Sequence, residues 1–203
     1  MPRADPVTSL YSLAHLRDMP AATWDALVPE GQPFLSHAFL SAMEDSGSVA
    51  RTTGWAAEHL VLEHEGKVQA LLPGYRKWHS YGEYVFDHGW ADACERAGIA
   101  YYPKWLGAVP FSPVSGPRLL TADPAAGHLL LQALPEYLSK AALSGAHINF
   151  TEPALDVQMA RLPGWMERLG CQFHWQNRGY RDFQDFLDTL SSRKRKQMRK
   201  ERE

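Results

Sequence analysis

Apolar and polar positions along the chain fall into blocks of two different periods. Residues 7–12 (VTSLYS) read as a short strand and Ala21–Leu27 as a helix. Ser36 supplies an N-cap, with Leu35 and Leu40 placed as a hydrophobic staple, for a helix that passes through Phe39 and Met43 and ends near Gly47. The apolar runs His59–Glu63 and Lys67–Tyr75 flank Glu65-Gly66, which predicts a hairpin. The segment GEYVFD continues as strand or loop, Ala91–Ala97 as a short helix closed by Gly98, and Lys104–Val109 as a further strand.

Beyond the Pro/Gly-rich run PFSPVSGPRLL, residues 125–144 carry an apolar stripe through Leu131, Leu134, Leu138 and Ala141. That stripe predicts a helix bent at Pro135. Ala146–Phe150 reads as a short buried strand. Leu155, Met159, Leu162, Met166 and Leu169 keep a 3.6 period, which predicts a helix over 154–169 ended by Gly170. Gln172–Asn177 reads as a strand, with His174 on the face opposite Trp175 and Asn177, and Asp182 starts a helix through Phe183, Phe186, Leu187 and Leu190. No internal repeat is visible. Alternating helices and strands predict an α/β (α+β) class, a mixed sheet covered by helices.

Composition changes this picture little. At 203 residues, 45% apolar and 22% charged, with 15 Gly and 14 Pro, the chain is not disordered, collagenous or coiled-coil. No apolar run approaches the roughly 18 residues of a spanning helix, and Met1–Pro6 lacks the apolar stretch of a secretory signal, so a cytoplasmic protein is expected. Charge adds more. Residues 193–203 (RKRKQMRKERE) hold seven of the 21 basic and two of the 23 acidic residues, so this tail is +5 and residues 1–192 are −7. The expected division is a domain over 1–192 and a basic segment over 193–203 that leads into sequence beyond it, the chain being a piece of a longer protein. Cys94 and Cys171 have no metal-ligand spacing and read as buried, reduced thiols.

Three stretches carry candidate chemistry. Residues 78–90 (WHSYGEYVFDHGW) bring two His, two carboxylates and two phenols between hairpin and helix. Glu83 or His79 is a candidate general base, Tyr81 or Tyr84 a candidate acid, and Asp87 and Trp90 candidate substrate contacts; core aromatics with a solvated loop is the competing reading. A metal through His79 and Asp87 has no supporting spacing. In the stiff loop PFSPVSGPR, Phe111, Ser112, Ser115, Gly116 and Arg118 are candidate binding residues, Arg118 for a phosphate or carboxylate, against a rigid connection with Arg118 in a salt bridge. Arg193, Lys194, Arg195 and Lys196 offer phosphate contacts without a base-stacking platform; the alternative is a solvated helix.

The blocks PFLSHAFLSAMEDSG, HSYGEYVFDHGWADACERAG, YYPKWLGAVPFSPVSGPRLL and QFHWQNRGYRDFQDFLDTLSSRKRK, in this order, resemble the bacterial FemAB-like family of the GNAT acyltransferase superfamily from Phe34 to Arg199. The resemblance implies a GNAT-like mixed, twisted sheet flanked by helices and a second such domain beyond this one. It also implies transfer of an acyl group from acyl-CoA, or an aminoacyl group from an aminoacyl-tRNA, to an amine, with a peptidoglycan precursor or other small molecule as acceptor. The GNAT pyrophosphate loop R/Q-x-x-G-x-G/A is missing; Gly127 stands roughly in its place without companion glycines. A non-catalytic recognition domain for a cell-wall precursor, RNA or a partner domain is the alternative reading.

Overall fold

The computed structural model describes residues 8–202. Its strands are β1 (Thr8–Leu13), β2 (Trp55–Ala57), β3 (His59–His64), β4 (Lys67–Leu72), β5 (Gly74–Lys77), β6 (Lys104–Gly107), β7 (Leu120–Thr121) and β8 (Ala146–Ile148). They pair in two sheets, ordered β1-β3-β4-β7 and β2-β5-β6-β8, antiparallel throughout except for the parallel pair β6–β8.

Both sheets are built on one long hairpin. Glu65 and Gly66 turn it with φ of +50° and +75°, the left-handed pair that matches strand twist in a two-residue turn. Only Glu58 separates β2 from β3, and only Pro73 separates β4 from β5. Pro73 has no N–H to give the ladder, so the sheet breaks there; the Glu58 N–H spans the break to the Gly74 carbonyl at 2.9 Å. The next strand is broken at the same level. Gly74 opposes Gly107 and Leu71 opposes Leu120, so residues 108–119 leave the ladder between β6 and β7 as an excursion. Trp105 fills the break, so close that a Cβ on Gly74 would stand 1.9 Å from its ring.

The helices are α1 (Ala21–Asp25), α2 (His37–Asp45), α3 (His88–Arg96), α4 (Pro124–Lys140), α5 (Pro153–Met159), α6 (Phe183–Asp188) and α7 (Ser192–Arg202). Alternate strand residues serve opposite faces. Leu60, Leu62, Ala70 and Leu72 join Leu130, Leu131 and Leu134 of α4 in one cluster. Val61, Leu71 and Leu120 join Trp24 of α1, Leu40 of α2 and Leu35 just before it in another. Both faces are covered, which is why β3 and β4 read as nearly unbroken apolar runs. The expected mixed sheet flanked by helices is present, and Ser36 caps α2 by accepting from the Phe39 N–H at 3.2 Å.

Four expectations need correction, the first being the buried strand over Ala146–Phe150, which ends at Ile148 and is only half-buried. The helix expected over 154–169 ends at Met159, because Pro163 cannot donate to the Met159 carbonyl, which accepts from the Leu162 N–H instead, and Gly164 is left-handed at φ +83°. No strand forms over 172–177. Those residues are exposed, with Phe173 97% accessible, and His174 and Trp175 are not core. Neither thiol is buried: Cys94 is half-buried and Cys171 exposed, both unpaired. β2 was not expected; it is the continuation of β3 past Glu58. The chain divides into two compact units, 1–168 and 169–203, the second containing α6 and α7.

Candidate active site

Pleating places Tyr75 and Lys77 on one face of β5, and Lys104 and Leu106 on the same face of β6. Lys77 and Lys104 are direct cross-strand partners, and both side chains are buried. Two ammonium groups this close require anions. The loop 78–87 supplies them by turning Glu83 and Asp87 inward while Tyr84 and Phe86, both left-handed at φ +59° and +53°, point outward and are exposed. Backbone strain of this kind persists where surrounding contacts enforce it.

Lys104 Nζ is the hub. It donates to Glu83 Oε2 at 2.9 Å, Asp87 Oδ2 at 2.6 Å and Ser80 Oγ at 2.8 Å. Tyr101 donates to Asp87 Oδ2 at 2.7 Å, and Tyr102 shares a hydrogen bond with Ser80 at 2.8 Å. His147, from β8, faces the group with Nδ1 3.5 Å from Lys104 Nζ and 3.6 Å from Asp87 Oδ2; its Nε2 is 3.5 Å from the Tyr101 hydroxyl. Lys77 fares less well. Its Nζ lies 3.5 Å from the centre of the Trp55 ring, donates to the Tyr81 carbonyl at 3.2 Å, and stands 3.9 Å from Glu83 Oε1.

These surroundings set the charges. Burial, with the Lys104 charge beside it and against the pull of Glu83, brings the Lys77 amine down to about 7. Burial, Lys104 and Arg168 together hold His147 down at about 4 despite Asp87. Burial works to raise the Asp87 carboxyl, yet hydrogen bonds from Lys104, Ser80 and Tyr101 hold it well below the usual range. For Glu83 burial wins over Lys104, and its carboxyl is raised. Glu83 Oε1 and Asp87 Oδ1 are buried with no hydrogen-bond partner. Glu83, Asp87 and His147 also present ligand atoms within 4.8 Å of one another, and the Lys104 ammonium bonds to both carboxylates, as a bound cation would.

The sequence-derived candidates are distributed around this group. Glu83 and Asp87 lie inside it. His79 lies beside it with both ring nitrogens engaged by backbone, the Thr53 carbonyl at 3.0 Å and the Tyr81 N–H at 3.2 Å. Tyr81 sends its carbonyl inward and its ring into solvent, where Trp90 of α3 is also half exposed. Phe111 packs on Trp55 with ring centres 4.8 Å apart, and a Cβ on Gly82 would come within 2.7 Å of Phe111, so the two candidate loops meet there. Ser112 and Ser115 lie on the same excursion, and the Gly116 N–H donates to the Phe150 carbonyl at 3.1 Å. Arg118 is buried and holds no carboxylate. It donates to the carbonyls of Asn149, Pro117 and Val114, tying the excursion to the residue that follows β8. Arg193, Lys194 and Lys196 are exposed on α7, whereas Arg195 pairs with Asp188 at 3.4 Å.

Lys77, Lys104, His147, Tyr101 and Ser80 were missed. A signal existed for the lysines: each falls on the inward phase of its strand, in step with Tyr75 and Leu106. His147 offered none, being half-buried on a three-residue strand.

The start of α4 departs from an anion site. Asp123 caps it, its carboxylate accepting from the Ala125 N–H at 2.9 Å, and Gly127 is buried where a Cβ would meet Leu119 at 2.9 Å and Thr121 at 3.0 Å. That glycine serves helix–strand packing.

No curated protein matches the chain. Among solved structures it is similar to a ribosomal-protein-alanine N-acetyltransferase from Brucella melitensis biovar Abortus 2308, at 11% identity and a TM-score of 0.45 over 83% of this chain and 99% of that one. It is also similar to an aminoglycoside acetyltransferase from an uncultured soil metagenomic sample in complex with trehalose, at 13% identity and a TM-score of 0.43 over 83% and 96%. Among the described residues no helix is long and apolar enough to cross a membrane. The model of the FemAB-like family, described as peptidoglycan biosynthesis/recognition, matches residues 15–203, so nearly the whole chain, with both candidate loops and the Lys104 group, belongs to that family.

Proposed function

We propose that the chain catalyses N-acyl transfer to an amine of a peptidoglycan precursor, with the acceptor meeting it at His147 beside the 78–87 loop. The observation that carries this reading is His147 itself. It is uncharged at neutral pH, its side chain is 24% accessible, and it lies 3.6 Å from an ionised carboxylate. Acyl transfer to an amine needs a group that takes the proton from the attacking nitrogen, and His147 is the accessible uncharged base of this group, with Asp87 beside it to offset the cost that burial puts on the imidazolium. The imidazolium formed would be stabilised by the Asp87 carboxylate 3.6 Å away. Glu83, closed off and paired with Lys104, acts here by holding the loop rather than by accepting the proton. The donor is an acyl-CoA or an aminoacyl-tRNA; its acyl C–S or C–O bond breaks as the amide forms, and the CoA thiol or tRNA hydroxyl leaves with the proton taken from the amine.

A second reading, recognition of the precursor without chemistry, is favoured by α4, whose N-terminus already holds the Asp123 carboxylate where a donor pyrophosphate would need N–H groups. Incubation with acyl-CoA or aminoacyl-tRNA and a peptidoglycan pentapeptide precursor, followed by mass spectrometry, separates the two. An amide product supports transfer. Saturable precursor binding with no product from any donor, and no calorimetric binding of acetyl-CoA, supports recognition alone.

A further inference from the structure

The unit over 169–203 contains a feature that its sequence conceals. Trp175, Tyr180, Phe183 and Phe186 gather their rings at centre distances of 5.6–6.0 Å, around a cavity of about 510 Å³ whose wall includes Asn177 and Met198. That volume lies within the range of roughly 300–1,000 Å³ usual for ligand sites. Asn177 fixes the loop that presents Tyr180, its Oδ1 accepting from the N–H groups of Gly179 and Tyr180 at 3.0 and 2.7 Å. Trp175 is 64% accessible. Beside the rings runs α7, which contributes Met198 to the cavity and sets the Arg202 guanidinium 4.3 Å from the centre of the Phe183 ring. Its exposed side chains include Arg193, Lys194, Lys196 and Lys200.

We propose that this unit binds single-stranded nucleic acid, with bases stacked on the Trp175–Tyr180–Phe186 rings and phosphates held along α7. Stacking surfaces beside a row of cations are the two parts such a site requires, and only unpaired bases can reach the rings. Charge complementarity selects this occupant. An anionic membrane is the poorer fit, since α7 has Met198 as its single apolar side chain and so no apolar face to insert. This inference is independent of the acyl-transfer reading.

The test is fluorescence anisotropy of the intact chain with a labelled single-stranded RNA oligonucleotide, the same sequence as a duplex, and phosphatidylserine vesicles. Four phosphate contacts predict a roughly 50-fold loss of affinity between about 50 and 200 mM salt. Replacing exposed Trp175 by Ala weakens single-strand binding roughly 5- to 150-fold with the salt slope unchanged, and Lys194→Glu with Lys196→Glu lowers the slope. Equal affinity for the duplex, salt-independent binding, binding to vesicles but not to RNA, or an unaltered Trp175→Ala affinity overturns the proposal.

Discussion

Lys77 and Lys104 oppose each other across the β5–β6 ladder, on one face, with neither side chain more than 1% accessible. Like charges at directly opposed positions repel, and the compensation is unequal. Lys104 bonds to two carboxylates and a hydroxyl, whereas Lys77 has a carbonyl, an indole face and a more distant carboxylate oxygen. The imbalance makes Lys77 the readily deprotonated member of the pair and makes Lys104 the peg that holds the 78–87 loop down.

Removing that peg strands two buried carboxylates. Lys104→Met is expected to cost about 3–5 kcal/mol in urea denaturation. The combination of Lys104→Met with Glu83→Gln and Asp87→Asn recovers much of the loss. A single variant as stable as the wild type contradicts the pegging role.

Lys77 sets an alkaline signature. Its native pKa of about 7 lies below the unfolded value of 10.5, so between these the unfolded chain holds the extra proton and the Lys77 contribution to stability rises with pH. Denaturation midpoints measured across that window rise less steeply in Lys77→Met.

His147 does the same on the acid side. Its native pKa of about 4 lies below 6.5, so between these the unfolded chain holds the extra proton and stability falls by about 3 kcal/mol as pH drops from 6.5 toward 4. His147→Gln removes this part of the acid destabilisation, and imidazole NMR shifts show His147 neutral at pH 5.5.

Gly82 is where the two loops touch. With φ at +79° and Phe111 against its α-carbon, Gly82→Ala is expected to cost about 1–3 kcal/mol from backbone strain alone. Shielding of Trp55 from acrylamide quenching drops with it. Gly31→Ala shares the positive φ but meets no neighbour within 4 Å, so the loss of Trp55 shielding is absent there.

Much of the fold was legible because it rests on local chemistry: the Ser36 cap, the Glu65-Gly66 turn, and the doubly apolar strands that hairpin encloses. The errors lie where periodicity and chain chemistry disagree. Leu162, Met166 and Leu169 continue a helical spacing that Pro163 and Gly164 interrupt, and QFHWQN has strand-like composition but joins no ladder among the described residues. The candidate site was half legible. Glu83 and Asp87 stand out in a dense polar stretch, but their partners Lys104 and His147 come from strands 17 and more residues away in sequence and meet them only through sheet pairing. Lys77 and Lys104 share the inward strand phase of Tyr75 and Leu106, and that phase was the one signal in the sequence for the centre of the site.

The most direct test of acyl transfer at His147 is the rate of amide formation by His147→Gln beside the wild-type chain at pH 7. The account predicts a kcat lower by about 10²–10⁴-fold, with the acceptor KM and the urea midpoint at that pH nearly unchanged. A variant that forms the amide at the wild-type rate contradicts it.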